Sequence, residues 1–455
     1  MSVRPLNFLV ATVGFACSLL PAAVAPAIEL GPDDALGVRQ SVQLELELGG
    51  DLVFEPSDPK QPTKTPVHVE AKLGYDEVRQ PGDTVQSIRY YTEASATTKV
   101  GNNTRNLQLT DEHRLMVAKL QGGTRLLCGV AGPLEQEEFD LVDVVGDSLV
   151  LEWLLPARDV EKGDSWQADM ATLQVLTGLD SIEQCEVSNV LSDSNPQYAR
   201  CQLAGSVQGT IHGAAVTLEL DGIYLVNLAQ GQLTHFNLAI RQKRQVGPAT
   251  PGLDVVTKIR IRRTPAASDS PLTDERMATA EKALETPQQL VRTTNPRMGF
   301  AAVHDTQWHV TSRAGGNMAL RRVNVDGMLT HANITKLAPR TLEADTALGE
   351  FRADVLRSLG SSPTNVAADE QWINPQGCRV MSVTVVGKVN DQPVEWHCYQ
   401  VAPSVENESL HRLALTFTVE QEKVESLGTA DRDLVDGIEL TADTVEQAIV
   451  NPLRK

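Results

Sequence analysis

The stretch from 200 to 262 constrains the fold more than any other. Arg200 to Gln208, Ala214 to Val226, Leu233 to Arg244 and Leu253 to Arg262 alternate apolar and polar residues, the period of a half-buried strand. Short turns separate them: Thr210-Ile211-His212-Gly213, Ala229-Gln230-Gly231 and Pro248-Ala249-Thr250-Pro251-Gly252. Long strands joined by such turns specify an antiparallel meander. Earlier segments extend it: Val42 to Leu48, Val67 to Leu73, Thr84 to Ala94, Arg114 to Leu120, Arg125 to Gly129 and Phe139 to Val145. A sheet this long does not lie flat, so residues 41–263 are expected to form a curved half-barrel or barrel.

Composition removes several function classes. The 455 residues carry 40 Lys+Arg against 59 Asp+Glu, a net charge of -19. Nucleic acid and anionic membrane surfaces are both recognised through cationic groups, so neither is expected as a partner. Aromatic residues make up only 4%, which argues against stacking platforms. The hydrophobic fraction of 41% is that of a folded globular chain.

The first 27 residues read as an export signal. Arg4 gives the positive start, Asn7 to Ala23 is an uncharged apolar run, and Ala25-Pro26-Ala27 fits a small-x-small cleavage site before Ile28. Pro21 and Pro26 interrupt the helix that a retained anchor needs. Cys17 lacks the upstream aliphatic residue and the downstream polar tether of a lipidation site. No later stretch has the eighteen uncharged apolar residues of a span, so the mature chain is expected to be soluble, periplasmic or extracellular.

An oxidising compartment permits disulfides. Cys185 and Cys201 flank the turn cluster Leu191-Ser192-Asp193-Ser194-Asn195-Pro196, and a hairpin centred on Asp193 would bring them together. Cys378 and Cys398 stay open. A turn at Asn390-Asp391 sets Cys398 opposite Val383, and only a turn nearer Lys388 would align the two cysteines. Cys128 is left over as a buried thiol.

Residues 28–40 read as a flexible leader. Residues 264–298, with Pro265, Pro271, Pro287 and Pro296, read as a linker with one helix from Thr273 to about Leu284, either exposed or packed between domains. From Gly299 the order changes. Trp308 to Val310, Ala319 to Val325 and Met328 to Leu337 read as strands, then Leu342 to Leu359 as a helix. Arg379 to Val386, Val394 to Ala402 and Leu413 to Val419 are strands again, followed by a helix from Ala430 and a tail at 447–455. Trp372, Gly377-Cys378-Arg379-Val380, Pro393-Val394-Glu395-Trp396-His397-Cys398-Tyr399, His411 to Thr418 and Asp431 to Ile438 carry a resemblance to the PsbP-like α/β/α sandwich family over 299–446. That resemblance implies a non-enzymatic binding or adaptor domain and transfers no functional residue.

Chemical motifs are sparse. Gly146-Asp147-Ser148-Leu149 spells a serine-esterase signature, but the apolar run after Ser148 reads as strand, and no Asp-x-x-His follows. A Gly-Asp turn is the plainer reading, and Gly163-Asp164-Ser165 repeats it. The acidic run Glu135, Glu137, Glu138, Asp140, Asp143 and Asp147 lacks a calcium loop and reads as solvated surface. His304 and His309, read as one strand, face opposite sides, and His212 sits in an exposed hairpin turn. Arg241, Lys243, Arg244, Lys258, Arg260, Arg262 and Arg263 form a basic strand pair that meets an anionic partner or the cell wall, or else balances the acidic leader strand. With no Walker loop, dinucleotide motif or His-Glu-x-x-His, no catalytic, cofactor or metal residues are expected. The chain is expected to be an exported, non-catalytic envelope protein that binds an apolar ligand or a protein. The alternatives are a surface adaptor without a ligand and an esterase at Ser148.

Overall fold

A computed structural model describes residues 28–30, 36–55, 63–325, 327–339, 347–404 and 411–441. Residues 1–27, expected to be an export signal, and the tail at 447–455 lie outside the described residues. The first half contains β1 (Ile28–Leu30), β2 (Arg39–Phe54), β3 (Thr63–Gln80), β4 (Gln86–Val100), β5 (Asn103–Gln108), β6 (Leu115–Gln121), β7 (Thr124–Gly129) and β8 (Leu134–Glu135). Helix α1 (Gln136–Val142), a 3-10 helix (Ser148–Leu154), β9 (Arg158–Val160), β10 (Ser165–Gln167) and α2 (Met170–Thr177) follow. The meander then runs through β11 (Ser181–Ser194), β12 (Tyr198–Ile211), β13 (Ala214–Asn227), β14 (Gln232–Arg244) and β15 (Gly252–Pro265). Twelve of these strands form one antiparallel sheet in the order β10 to β15, β2, β3, β4, β6, β7, with β5 on β4. The sheet is an open half-barrel, and α2 touches β7 near one end and β11 near the other.

Alternation places every second side chain of β13 inside. The concave face is filled by the chain itself. Leu149, Val150, Leu151 and Leu154 of the 3-10 helix and Leu173 and Leu176 of α2 share one core with the inward residues of the strands. Two expected strands are therefore helical. Phe139 to Val145 lies largely in α1, which opens on a reciprocal cap between Glu135 and Glu138. The run after Ser148 winds as a 3-10 helix because Asp147 accepts from the Leu149 N–H, and because a run apolar but for Glu152 carries no clear period to separate strand from helix. The leader begins with β1, paired to β9, and so is partly ordered.

The segment after β15 is more than a linker. Helix α3 (Asp274–Glu285) is capped by Thr273 as its sequence specifies, and Leu272, Ala280 and Leu284 pack on the outer face of the sheet against Val78, Ile88, Val117 and Cys128. Its outer face is exposed as expected, and its inner face packs on the first domain rather than between domains. β16 (Leu290–Asn295) then pairs with β17 (Phe300–Asp305) and, in parallel, with β8. The second domain continues with β18 (Trp308–Ala314), β19 (Asn317–Asn324), β20 (Gly327–Leu337), α4 (Ala347–Leu359), β21 (Pro363–Ile373), β22 (Cys378–Val389), β23 (Gln392–Pro403), β24 (Arg412–Glu420), α5 (Val424–Leu427), α6 (Ala430–Asp436) and β25 (Ile438–Leu440). Seven strands form an antiparallel sheet in the order β18, β19, β20, β24, β23, β22, β21. Phe351 and Val355 of α4 pack on one face against Val383, Val385 and Trp396, while Leu434 and Val435 of α6 pack on the other against Leu413, Leu415 and Phe417. The domain is an α/β/α sandwich.

Register locates the two ends of the half-barrel. The β3–β4 and β6–β7 turns share one rim, because Gln86 pairs with Lys119 and Gln121 with Thr124. The β12–β13 and β14–β15 turns share the opposite rim, because Ala214 pairs with Ile211 and Leu253 with Arg244. The second domain sits on that opposite rim. Arg321 donates to the Pro248 carbonyl there, and Gly213 lies so near Gly327 and Val323 that a Cβ would crowd them at 3.2 and 3.3 Å. No described residue of the second domain covers the first rim, which is called the open rim below.

Helix α6 is fixed to its sheet by polar contacts. His397 Nδ1 lies 2.6 Å from Asp431, Tyr399 donates to the same carboxylate at 2.6 Å, and Trp372 donates to Asp436 at 2.7 Å. Burial alone would lower the His397 pKa, but the bonds to Asp431 and Glu395 raise it above its ordinary value. A raised folded-state value stabilises below the free imidazole range and is lost as pH rises through it. The loss of stability in His397→Gln should accordingly be larger at pH 5.5 than at pH 9 in urea denaturation.

Candidate binding cleft at the open rim

The inner faces of β2, β3, β4 and β15 are apolar along most of their length and turn polar toward the open rim. Leu44 and Val42 lead to Gln40, Leu73 and Tyr75 to Glu77 and Arg79, Tyr91 to Arg89, and Ile259 and Ile261 to Arg263. These groups meet Asp147, Ser148 and Glu152 of the filling segment. Arg89 donates to the two Asp147 oxygens at 2.9 and 2.6 Å, and Arg125 donates to Asp147 at 2.6 Å. Arg79 and Arg263 both donate to Glu152, and Arg263 also to Gln40. The side chains of Arg79, Arg89, Arg125, Arg263, Glu77, Asp147 and Glu152 are at most 10% exposed. Burial alone would raise the Asp147 and Glu152 pKa values, but the adjacent guanidiniums hold both below the usual carboxylate range.

Above this charged layer lies a cleft of about 540 Å³. Its walls come from the β3–β4 turn, the Gly122-Gly123 turn between β6 and β7, and α2. Val85, Leu120, Trp153, Ala171 and Val175 give it an apolar lining, and Arg79 lies at its inner side. Leu36 on its edge and Met170 beside it are 53% and 58% exposed, unusual for such side chains. The size falls within the range of small-molecule sites. None of these residues stands in a motif. They come together only through sheet curvature.

Ser148, the esterase candidate, is fully buried in the charged layer. Glu77 accepts its hydroxyl at 2.8 Å, and Tyr75 and Arg89 stand 2.9 and 3.2 Å away. None of these partners is an imidazole, and the serine has no exposed face for a substrate, so its hydroxyl is a structural bond. Gly163-Asp164-Ser165 forms the expected turn into β10.

The proposed disulfide between Cys185 and Cys201 does not form. Cys185 pairs with Val207 and Cys201 with Leu191, and both thiols are free. The turn is set by Asn195, whose side chain accepts from the Gln197 and Tyr198 N–H groups at 2.8 and 2.9 Å. Moving the hairpin centre from Asp193 to Pro196 separates the cysteines by six ladder positions. Cys378 and Cys398 are also free. Asn390 and Asp391 make the turn with φ of 50° and 66°, and Cys398 lies opposite Val383. Burial pushes the Cys128, Cys201 and Cys398 thiols up to about 11, 12 and 11, so they are poor nucleophiles.

The acidic run disperses onto separate partners and is not simply solvated surface. Glu135 pairs with Arg292, Glu137 with Arg105, Glu138 with His113, and Asp143 with Arg125. Glu138 and Asp147 are buried. Among the described residues no group of three or more potential ligands is placed to hold a metal. Arg260 and Lys258 sit directly opposite Glu45 and Glu47, so the basic strand balances the acidic one, while Arg263 turns inward. His304 and His309 lie on different strands, and His304 is buried against Thr293 at 2.9 Å. His212 is half-buried at the domain seam instead of exposed.

No family model matches the chain, and neither does any curated protein. Among solved structures, a lipovitellin described for its lipid–protein interactions is similar at 10% identity and a TM-score of 0.30, covering 52% of this chain and 26% of that one. The immunity protein TplEi of the Pseudomonas aeruginosa type VI secretion system is similar at 10% identity and a TM-score of 0.21, covering 57% of this chain and 95% of that one. A Tle4–Tli4 complex gives 9% and 0.20, covering 49% and 74%. The chain thus spans about a quarter of the lipovitellin length. No described helix is long and apolar enough to cross a membrane.

Two outcomes follow from this geometry. Each of the five described cysteines should alkylate in denaturant without prior reduction, as read by mass spectrometry. Asp147→Asn leaves two buried guanidiniums short of a counter-charge and should cost about 3–5 kcal/mol in urea denaturation. Because the folded-state pKa values of Asp147 and Glu152 are depressed, their stabilisation is complete above the ordinary carboxylate range. It should fall away as pH drops below that range, which an acid titration of the unfolding midpoint will show.

Proposed function

We propose that this protein is an exported, non-catalytic binding protein that takes the apolar part of a small molecule into the cleft at the open rim of its half-barrel. The cleft itself carries the reading. It is a concave site of about 540 Å³, walled by Val85, Leu120, Trp153 and Val175, with Leu36 exposed at its edge. The ligand does not enter the barrel interior in this reading, because the filling segment already occupies that space. Export rests on the pattern of Arg4, Asn7 to Ala23 and Ala25-Pro26-Ala27. The second domain, with its PsbP-like order of elements, serves as the adaptor surface.

The fluorescent probe N-phenylnaphthylamine tests the site. Its emission should rise on binding and be excited through Trp153. Trp153→Phe should reduce that energy transfer while the probe still binds. Ala171→Trp, at an exposed position on α2, fills the cleft and should weaken binding at least about tenfold, in line with the area a tryptophan covers. Probe emission that never rises, or that survives Ala171→Trp unchanged, removes the cleft as a ligand site.

A further inference from the structure

The closed rim carries a contact that the ligand reading does not use. His212, in the β12–β13 turn of the half-barrel, and His309, on β18 of the second domain, face each other with ring centroids 4.4 Å apart and planes tilted by 43°. His212 and Gly213 are the two-residue loop of the β12–β13 hairpin, both with left-handed backbones, φ of 48° and 70°, as such a tight turn requires. Its N–H donates to Asp180 at 2.5 Å, and its Nδ1 is buried without a hydrogen-bond partner. The imidazoles thus form a point of contact between two separately cored bodies, beside Gly213 on Gly327 and Val323 and Arg321 on Pro248.

The surrounding charges are mixed. Asp180 accepts from the His212 backbone and its charge favours a proton on His309, against the burial and the neighbouring His212 ring that oppose one. Arg244, at the end of β14, adds positive charge from the first domain. Arg321 lies across the ladder from His309 and beside His331. Asp305 is engaged with Arg322 at 2.9 and 2.7 Å, and Asp143 with Arg125. His304 is buried between Thr293 and the Asp305 carbonyl. Neutral rings stack at this distance, whereas two imidazolium rings repel.

We propose that His212 and His309 form an acid-sensitive latch, which holds the second domain on the closed rim while both rings are neutral and releases it when they take up protons.

Burial, with the neighbouring His212, lowers the His309 pKa to about 4, and burial with Arg244 lowers that of His212. A depressed imidazole value means that the docked form binds fewer protons than the open one. Docking is therefore strongest above the free imidazole value of about 6.5 and weakens as pH falls from there toward 4. Each unit of difference is a factor of ten, so His309 alone shifts the docking equilibrium by about two orders of magnitude across that window. The sheet linking β8, β16, β17 and β25 lies outside the latch and keeps the chain's two halves tethered.

Small-angle scattering and hydrogen exchange of the full mature chain between pH 7.5 and 4 test this. The radius of gyration should rise between pH 6.5 and 4, with protection lost at 211–213 and 308–312 and retained along β12 to β15. The double variant His212→Asn and His309→Gln should keep the compact radius down to pH 4; asparagine suits the left-handed position and glutamine stays neutral. Far-UV circular dichroism at pH 7.5 checks that the variant folds. A wild-type radius that does not change down to pH 4 overturns the latch. So does a folded double variant that opens at the wild-type midpoint, or a loss of protection that spreads through β12 to β15 together with the seam.

Discussion

The layer of buried charge under the open rim is the constraint on which the rest of this protein depends. Four guanidiniums, from Arg79, Arg89, Arg125 and Arg263, are held against Glu77, Asp147 and Glu152 in the interior of a curved sheet. Such a layer contributes little net stability compared with an apolar core of the same shape, since desolvation offsets the attraction. What it supplies is position. The arginines come from β3, β4, β7 and β15, and Asp147 and Glu152 bracket the first turns of the filling segment. An apolar interior would let that segment slide. A charged one admits a single placement, because a shift of one residue would leave a carboxylate or guanidinium buried alone.

In the proposed reading, fixing that segment decides where a ligand can go. A curved sheet of twelve strands could have enclosed a cavity, but Leu149 to Leu154 and α2 occupy the space. The filling segment takes up the interior, and the candidate cleft lies at the open rim instead. One rim holds a largely apolar cleft above the polar layer, with Trp153 and Val175 reaching it from the same segment that fills the core. The other is covered by the second domain through a small seam that includes two histidines. The charged layer separates the two.

Much of the architecture was legible because alternation is a local signal. The strands from 200 to 262 appear where their period puts them, and so do the Thr273 cap on α3 and the Asn390-Asp391 turn that sets Cys398 opposite Val383. The errors arose where the deciding interaction is distant or where period is absent. Phe139 to Val145 and the run after Ser148 are short and lack a clear period, and their caps, made by Glu135 and Asp147, show them to be helical. The Cys185–Cys201 hairpin failed because one Asx turn at Asn195 outweighed a string of weaker turn formers. One clue to the charged layer was present. Glu77, Arg79 and Arg263 occupy the same parity as the buried Leu73, Tyr75, Ile259 and Ile261, so charges stood where a half-buried strand calls for apolar residues.

The segment from 264 to 298 shows why a proline-rich boundary is not automatically a free linker. Its prolines do interrupt regular structure, yet Leu290 to Asn295 returns as β16 to pair with β8 of the first domain and β17 of the second. Only two residues of β16 match β8, too few to leave a period, and the pairing is parallel, so no hairpin turn announces it. Arg292 reinforces it by reaching both Glu135 and Glu439, one from each half of the chain. The two domains are thus joined by backbone pairing on one side and by side-chain contact at the histidine seam on the other. Backbone hydrogen bonds do not titrate between pH 4 and 7, whereas imidazoles do. On the proposed latch, acid acts at the seam while the strand pairing holds the two halves of the chain together.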